Sequence, residues 1–334
     1  MDHPTLPPVF ADAFAVPSSG GFAIATYRLL DAPDAPDAPD APDRGPAGTP
    51  ALLFAHANGF NAGCYQPFLA RLAGHFQVFA YDARGHGASP SPLDDIIGDY
   101  AMLRFAEDLA AIVDHVRGII GPDVPLHFAS HSLGGLAAVL LAAEMGREPF
   151  ASLTMFEPPI HPPEGHPERA AIMIHSPKFV AWAARRRNQF PDRAALRDEV
   201  ENIMTYRRFT DEMMAAYLDA AVAPAGAGAP GADGGLELRC PGPVESAIYS
   251  NCPDSGIFEM TKKVTTRARI YASDQAVQPE LHSWAPATMA SIAETMANGE
   301  CRTMPGCLHL MIQEDPDACA AAVVDHALNG RDTR

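Results

Sequence analysis

Short runs of apolar residues alternate with amphipathic segments along much of the chain, and this alternation predicts its secondary structure. The apolar runs predict β-strands at residues 51–55, 76–81, 126–129 and 152–156. The segments between them predict helices near residues 64–73, 102–118 and 133–146. Short, fully apolar strands that alternate with helices form parallel sheets covered on both faces. We therefore expect an α/β fold built on a mostly parallel twisted sheet flanked by helices.

The alternation stops after Glu157 and resumes at Arg267, which predicts an insertion in the α/β fold. Charge-rich segments with a helical pattern occur within the insertion, at residues 178–189, 192–204 and 211–221. After the insertion, the pattern predicts strands at 268–272 and 299–304 and helices at 286–298 and 315–328. We expect residues 1–158 and 256–334 to form the two parts of one core, and residues 159–255 to form an inserted helical cap.

The N-terminal region adds a predicted strand pair and a repeat. Short β-prone runs at residues 9–16 and 22–30 are separated by Pro17-Ser-Ser-Gly-Gly, which is typical of two paired strands. An Ala-Pro-Asp triplet then occurs four times at residues 32–43. Its prolines lack the N–H groups that a sheet requires, and its aspartates repel one another. We expect an extended surface loop there.

The charge balance of the 334-residue chain excludes one large class of partner. The chain has 41 acidic and 24 basic residues and a formal net charge of −17, whereas nucleic-acid binding requires a concentrated basic surface. The longest weakly polar stretch, residues 133–143, is too short to span a bilayer. The N-terminus lacks the basic and apolar regions of a secretory signal. We expect a cytoplasmic protein without stable membrane insertion, and its oligomeric state stays open, a homodimer included.

Neither the cysteines nor the glycines predict a cofactor. The six cysteines are scattered, and in a chain of this length they are interpreted as reduced thiols rather than a disulfide framework or a zinc site. Gly226-Ala-Gly-Ala-Pro-Gly matches the glycine fingerprint of dinucleotide-binding proteins. However, no predicted strand precedes it, and Pro230 would interrupt the following helix. We therefore expect neither a metal nor an organic cofactor.

Ser132 is the candidate nucleophile. It lies in Ser130-His-Ser-Leu-Gly-Gly, between the predicted strand 126–129 and the predicted helix 133–146. A sharp strand-to-helix turn requires small residues two positions before and two positions after its exposed residue. Ser130 and Gly134 meet that requirement. The motif therefore predicts that Ser132 is presented at the carboxyl edge of the sheet.

A serine nucleophile requires a nearby base, and a carboxylate that orients this base. His309 follows the last predicted strand and is the candidate base. Asp274 directly follows the strand at 268–272 and is the favoured acid, because the chain order is then serine, acid, histidine. Glu157 ends the strand before the insertion and is the alternative acid.

Two backbone N–H groups are expected to stabilise the negative charge that develops on a substrate oxygen. One belongs to Leu133, at the start of the helix after the nucleophile, where the helix dipole also favours negative charge. The other is expected in His56-Ala-Asn-Gly-Phe, the loop after the first parallel strand. Asn58 is the favoured donor in this loop, and the neighbouring Gly59 is the alternative.

Taken together, these motifs resemble those of the α/β-hydrolase superfamily, and the resemblance covers nearly the whole chain. It rests on His56-Ala-Asn-Gly-Phe, Tyr81-Asp-Ala-Arg-Gly-His-Gly-Ala-Ser, Ser130-His-Ser-Leu-Gly-Gly, Ser273-Asp-Gln and Pro305-Gly-Cys-Leu-His, in that order. The resemblance implies the α/β-hydrolase fold with a helical cap. Epoxide hydrolases and haloalkane dehalogenases are similar but use an aspartate nucleophile, whereas this chain has Ser132 at that position. The resemblance therefore implies acyl transfer to water.

The implied activity is that of a serine hydrolase, similar to carboxylesterases, that acts on a small-molecule ester, thioester or lactone. Two alternatives stay open. A carbon–carbon hydrolase or a lyase could use the same residues without a cofactor, with the histidine deprotonating the substrate. A small-molecule receptor could keep the hydrolase scaffold without turnover, since a fold does not fix a function.

Overall fold

The computed structural model describes most of the chain, in the ranges 10–29, 48–226, 235–253, 256–277 and 285–330. The Ala-Pro-Asp repeat and residues 227–231 of the glycine-rich segment lie outside these ranges. Among the helices of the described ranges, none is long and apolar enough to cross a bilayer.

Two sheets contain the strands of the described residues. In chain order the strands are β1 (Phe10–Pro17), β2 (Ala23–Leu29), β3 (Ala51–Ala55), β4 (Gln77–Tyr81), β5 (Leu126–His131), β6 (Leu153–Phe156), β7 (Gln189–Phe190), β8 (Val222–Pro224), β9 (Leu236–Leu238), β10 (Ala268–Ala272) and β11 (Gly299–Thr303). The larger sheet has the order β1-β2-β4-β3-β5-β6-β10-β11. Its β1–β2 and β2–β4 pairs are antiparallel, and its other pairs are parallel. The mostly parallel sheet expected from the sequence is confirmed.

Helices cover both faces of the larger sheet. In chain order they are α1 (Gln66–Leu72), α2 (Met102–Ile120), α3 (Leu133–Met145), α4 (Arg169–Ala184), α5 (Arg193–Glu201), α6 (Asp211–Ala220), α7 (Gly242–Asn251), α8 (Ile257–Met260), α9 (Ala285–Thr295), α10 (Met311–Glu314) and α11 (Pro316–Val324). Helices α2, α3 and α9 belong to one apolar cluster, and α1 and α11 belong to the other. Every residue of β3, β5 and β10 is buried, which explains why these strands lack the polar alternation of a half-exposed sheet.

The insertion between β6 and α8 contains four helices, α4 to α7, and the smaller sheet, of order β7-β9-β8. Helix α4 begins at Arg169, earlier than the predicted start near residue 178. The sequence does not predict the smaller sheet, because strands of two or three residues are too short to show a periodic pattern. The cap boundaries at residues 159 and 255 stay a prediction.

A buried ion pair fixes the loop that follows β4. The guanidinium of Arg84 donates through Nε and Nη2 to the two carboxylate oxygens of Asp108 on α2, each at 2.7 Å, and both side chains are only 1% exposed. Nη1 of Arg84 also donates to the carbonyl oxygen of Asp99 at 2.8 Å. Because two donor nitrogens meet two acceptor oxygens, this pair holds the loop against α2 in one orientation.

We expect this pair to be needed for stability. Substitution Asp108→Ala leaves the Arg84 charge buried without its partner, which typically lowers the free energy of unfolding by about 3–5 kcal/mol. The control is Glu107→Ala on the same helix, which breaks an exposed ion pair with Arg104 and is expected to cost about 1 kcal/mol or less. Urea unfolding measures both changes, and equal losses would contradict this assignment.

Candidate active site

The carboxyl ends of neighbouring strands bring the predicted site residues to one edge of the sheet. Ser132 follows β5, and its N–H donates to the carbonyl oxygen of Phe156 at the end of β6, at 2.8 Å. The N–H of Glu157, the next residue, donates to the carbonyl oxygen of Tyr271 in β10 at 3.0 Å. Backbone hydrogen bonds of Ser132 and Glu157 therefore join the ends of β5, β6 and β10.

Both of these residues have a strained backbone. Ser132 has φ 49° and ψ −116°, and Glu157 has φ 42°, and within the described ranges they are the residues other than glycine with positive φ. Such a conformation costs on the order of 1–3 kcal/mol per residue and is concentrated at functional sites. Gly134 makes the Ser132 turn possible, because a Cβ atom added there would lie 2.5 Å from Cβ of Ala55 in β3.

His309 contacts Glu157. Its Nδ1 lies 2.7 Å from Oε2 of Glu157, and the other carboxylate oxygen accepts a hydrogen bond of 2.6 Å from the N–H of Ser273. Burial raises the pKa of Glu157, but the hydrogen bond and charge of His309 and the bonds from Ser273 outweigh it and lower the pKa to about 2. Glu157 is therefore an ionised, buried carboxylate that faces the imidazole.

Asp274, the favoured acid of the sequence analysis, is not brought to His309. Asp274 is partly exposed, and its carboxylate accepts hydrogen bonds from the N–H groups of Ala276 and Gly306, each at 2.9 Å. Its own N–H donates to the carbonyl oxygen of Cys307 at 2.7 Å. The expectation that Asp274 contacts His309 is thus corrected. The N–H of Ala276, in the turn that contains Asp274, and the N–H of Gly306, in the loop that contains His309, bind the Asp274 carboxylate instead. The alternative acid, Glu157, occupies that position.

The loop after β3 presents the two candidate donors differently. Within the described residues, the N–H of Asn58 makes no hydrogen bond to another backbone group. The N–H of Gly59, the alternative donor, donates to Nε2 of His86 at 3.1 Å. Leu133 is the first residue of α3, so its N–H has no acceptor within the helix. The N–H groups of Asn58 and Leu133 thus have no backbone acceptor among the described residues, and their role as donors to an anion stays a prediction.

Buried side chains hold this loop in place. Nε2 of His56 accepts from the N–H of Ala83 at 2.8 Å, so its Nδ1 carries the proton and donates to the carbonyl oxygen of Ala57 at 2.8 Å. Burial lowers the pKa of His56 to about 4, which keeps it neutral and in this tautomer. Asp82 accepts from the N–H of Ala62 at 2.8 Å. The loop is thus fixed from both sides by groups outside the candidate triad.

Residues of the insertion cover the same loop. The side-chain Nδ2 of Asn58 donates to the carbonyl oxygen of Glu245 at 3.0 Å, and Glu245 forms an ion pair of 2.8 Å with Arg186. These two charged side chains are 3% and 7% exposed, and Arg186 also donates to the hydroxyl oxygen of Tyr217. Arg186 therefore has a largely buried and paired side chain, although it lies in a run of three arginines, Arg185–Arg187. The sequence contains no local signal that would identify Glu245 as its partner.

Throughout the described ranges, no group of three or more His, Cys, Asp or Glu side chains is arranged to hold a metal ion. Cys307 and His309, which lie close in the sequence, serve other contacts: the carbonyl of Cys307 accepts from Asp274, and the imidazole of His309 faces Glu157.

The fold and this arrangement agree with a family assignment. Residues 52–322 match the model of the "Alpha/beta hydrolase family". The match covers more than half of the chain and includes Ser132, Glu157 and His309. The chain therefore belongs to the alpha/beta hydrolase family.

This chain matches several curated proteins over part of its length, among them a lactonase and a lipase. It is 34% identical over 97 residues to 3-oxoadipate enol-lactonase 1 of Acinetobacter baylyi, which covers 29% of this chain and 33% of that protein. It is 37% identical over 102 residues to monoglyceride lipase of Mus musculus, which covers 30% of this chain and 32% of that protein. The matched region thus spans about a third of the length of each relative.

Solved structures extend the likeness to the whole fold. The crystal structure of E-2-(acetamidomethylene)succinate hydrolase superposes with a TM-score of 0.68, covering 94% of this chain and 97% of that chain. The sequence identity is 17%, so this comparison shows a shared fold and nothing more about activity.

We expect Glu157 to make an acid-dependent contribution to stability. Its folded-state pKa of about 2 lies below the ordinary value of 4.5, so the unfolded chain binds the proton first as the pH falls. The contribution is therefore fully present above the ordinary pKa and is lost as the pH falls towards the folded-state value. The difference in free energy of unfolding between wild type and Glu157→Gln, measured in urea at decreasing pH, should shrink below about pH 4.5.

Glu144→Gln, at an exposed position of α3, is the control for this measurement. Its difference from wild type should not follow the same acid dependence. A difference for Glu157→Gln that grows in acid would contradict the buried ionised carboxylate.

Proposed function

We propose that this protein is a serine hydrolase that cleaves a carboxylic ester or a related acyl bond through Ser132, His309 and Glu157. The observation that carries the proposal is the contact of 2.7 Å between Nδ1 of His309 and the buried carboxylate of Glu157. It occurs at the sheet edge where Ser132 has its strained turn. A nucleophile, a base and an orienting acid are the groups that acyl transfer requires.

The contact with Glu157 determines the role of each imidazole nitrogen. An ionised carboxylate only accepts hydrogen bonds, so Nδ1 of His309 carries the proton and Nε2 carries the lone pair. Nε2 then takes the proton of the Ser132 hydroxyl as its oxygen attacks the substrate carbonyl. The imidazolium returns this proton to the leaving alkoxide. Water then cleaves the acyl-enzyme, with His309 again acting as the base.

The oxyanion of each tetrahedral intermediate binds the N–H groups of Asn58 and Leu133. Both amides lack a partner within their own secondary structure, and the dipole of α3 adds positive potential at Leu133. Loss of one such donor typically lowers the rate by about 10²- to 10³-fold. The chemistry requires no metal or organic cofactor.

The bond type is supported by the relatives. One of them is named an enol-lactonase and another a lipase, and these names denote cleavage of lactone and ester bonds. We therefore propose a small-molecule ester or lactone as substrate, with a thioester as a further acyl bond open to the same mechanism. The activity is of the carboxylesterase type.

Substitution Ser132→Ala should abolish ester hydrolysis. Without the nucleophile, kcat for a short p-nitrophenyl ester is expected to fall by at least about 10³-fold. The control is Ser130→Ala, two residues away in the same motif, because the Ser130 hydroxyl is buried and has no hydrogen-bond partner among the described residues. It should retain activity within about threefold of wild type. Equal rates for wild type and Ser132→Ala would end the proposal.

Comparison of the two acids tests the orientation of His309. Glu157→Gln removes the charge that fixes the imidazole tautomer, and kcat should fall by about 10³- to 10⁴-fold. Asp274→Asn replaces the carboxylate by an amide of the same shape at a position that does not contact His309, so kcat should change by less than about tenfold. The reverse order of effects would restore Asp274 as the catalytic acid.

A further inference from the structure

A chain of buried hydrogen bonds outside the candidate triad connects the loop after β3 to the backbone of His309. The N–H of Ala57 donates to the hydroxyl oxygen of Tyr65 at 3.3 Å. This hydroxyl lies 2.8 Å from Nδ1 of His131, and Nε2 of His131 lies 2.8 Å from the carbonyl oxygen of His309. The side chains of Tyr65 and His131 are fully buried.

The donors and acceptors of this chain have one consistent assignment. A carbonyl oxygen only accepts, so Nε2 of His131 carries the proton and donates to His309. Nδ1 is then an acceptor, and the Tyr65 hydroxyl donates to it while its oxygen accepts from Ala57. Burial, and then the nearby charge of His309, lower the pKa of His131 to about 3, so a second proton does not disturb this tautomer.

The position of each residue explains why the chain can act on the site. His131 is the last residue of β5, directly before Ser132, and its ring centroid lies 5.2 Å from that of His309. Tyr65 ends the short 3₁₀ turn after the loop that contains Asn58. Glu157 holds the His309 imidazole, whereas His131 holds the His309 backbone. The two contacts fix different parts of the same residue.

We propose that His131 and Tyr65 are positioning residues that couple the loop after β3, which contains Asn58, to the catalytic base, His309. His131 acts through the carbonyl of His309, and Tyr65 acts through His131 and the N–H of Ala57. The proposal rests on the proposed function, since it assigns these residues to the same reaction. It predicts a loss in kcat rather than in substrate binding, because neither buried side chain is placed to contact a substrate.

The first variant is Tyr65→Phe, which keeps the ring and removes the hydroxyl. Nδ1 of His131 and the N–H of Ala57 then lose their shared partner in a buried site. Misplacement of a reacting group by about 1 Å costs about 10²-fold in rate. We expect kcat to fall by about 10- to 100-fold with KM within about threefold of wild type.

A pair of variants at His131 separates the hydrogen bond from packing. His131→Phe fills the site but has no donor for the His309 carbonyl, whereas His131→Gln supplies an amide N–H that can reach it. We expect a loss with Phe and a partial recovery of kcat with Gln. The controls are Tyr100→Phe and His127→Phe, which remove a partly buried hydrogen bond to Pro92 and a buried one to Ser152, outside the candidate site.

Nuclear magnetic resonance of ¹⁵N-histidine-labelled protein gives a readout that does not depend on turnover. The spectrum should show His131 as the neutral tautomer with its proton on Nε2. The Nδ1 proton of His309, hydrogen-bonded to Glu157, should shift in Tyr65→Phe and stay unchanged in Tyr100→Phe. A merely structural role of Tyr65 would lower the melting temperature and leave this resonance in place.

The outcomes distinguish the two proposals. Lower kcat in Tyr65→Phe and His131→Phe, recovery with Gln and a shifted His309 resonance support the coupling. If the wild type is active and Tyr65→Phe has the kcat of the Tyr100→Phe control, the coupling is overturned and the proposed function stands. A wild type that neither turns over esters nor reacts with a fluorophosphonate at Ser132 overturns both.

Discussion

The buried carboxylate of Glu157 is the group on which the rest of the site depends. At 4% exposure it requires hydrogen-bond donors, and it has the N–H of Ser273 on one oxygen and Nδ1 of His309 on the other. Ser273 follows β10 and His309 lies in the loop after β11, so one charge joins the ends of three strands. The backbone of Glu157 has a left-handed φ of 42°, so the residue that carries this charge is held in a strained conformation.

Around this charge, the remaining polar groups act as supports. The carboxylate of Asp274 accepts a hydrogen bond from the N–H of Gly306 and thereby holds the loop after β11, which contains His309. His131 contacts the carbonyl oxygen of His309 in the same loop. From the insertion, Glu245 accepts the side-chain amide of Asn58 through its backbone. His309 and Asn58 are therefore held by groups outside the candidate triad, and such preorganisation is what acyl transfer requires.

The parts of the molecule that sequence predicts well are those set by local rules. Short apolar runs predict the fully buried strands. The small residues at positions 130 and 134 predict the sharp turn at Ser132, because Gly134 approaches Ala55 too closely for a larger residue. The choice between Glu157 and Asp274 is different, because both follow a parallel strand. The backbone angle of Glu157 and the hydrogen bonds of Asp274 to loop amides determine which carboxylate contacts His309, and neither is encoded in a short motif. The Arg186–Glu245 pair joins residues that are far apart in the chain, so no short motif predicts it either.

In the proposed reaction, the Ser132 hydroxyl attacks the substrate carbonyl and carries the acyl group. The most direct measurement is mass spectrometry of the intact and digested protein after rapid acid quench of its reaction with a chromogenic ester. We expect a transient mass increase equal to the acyl group, located on the peptide that contains Ser132 and lost as turnover proceeds. Turnover without any acyl adduct, or an adduct on another residue, would contradict it.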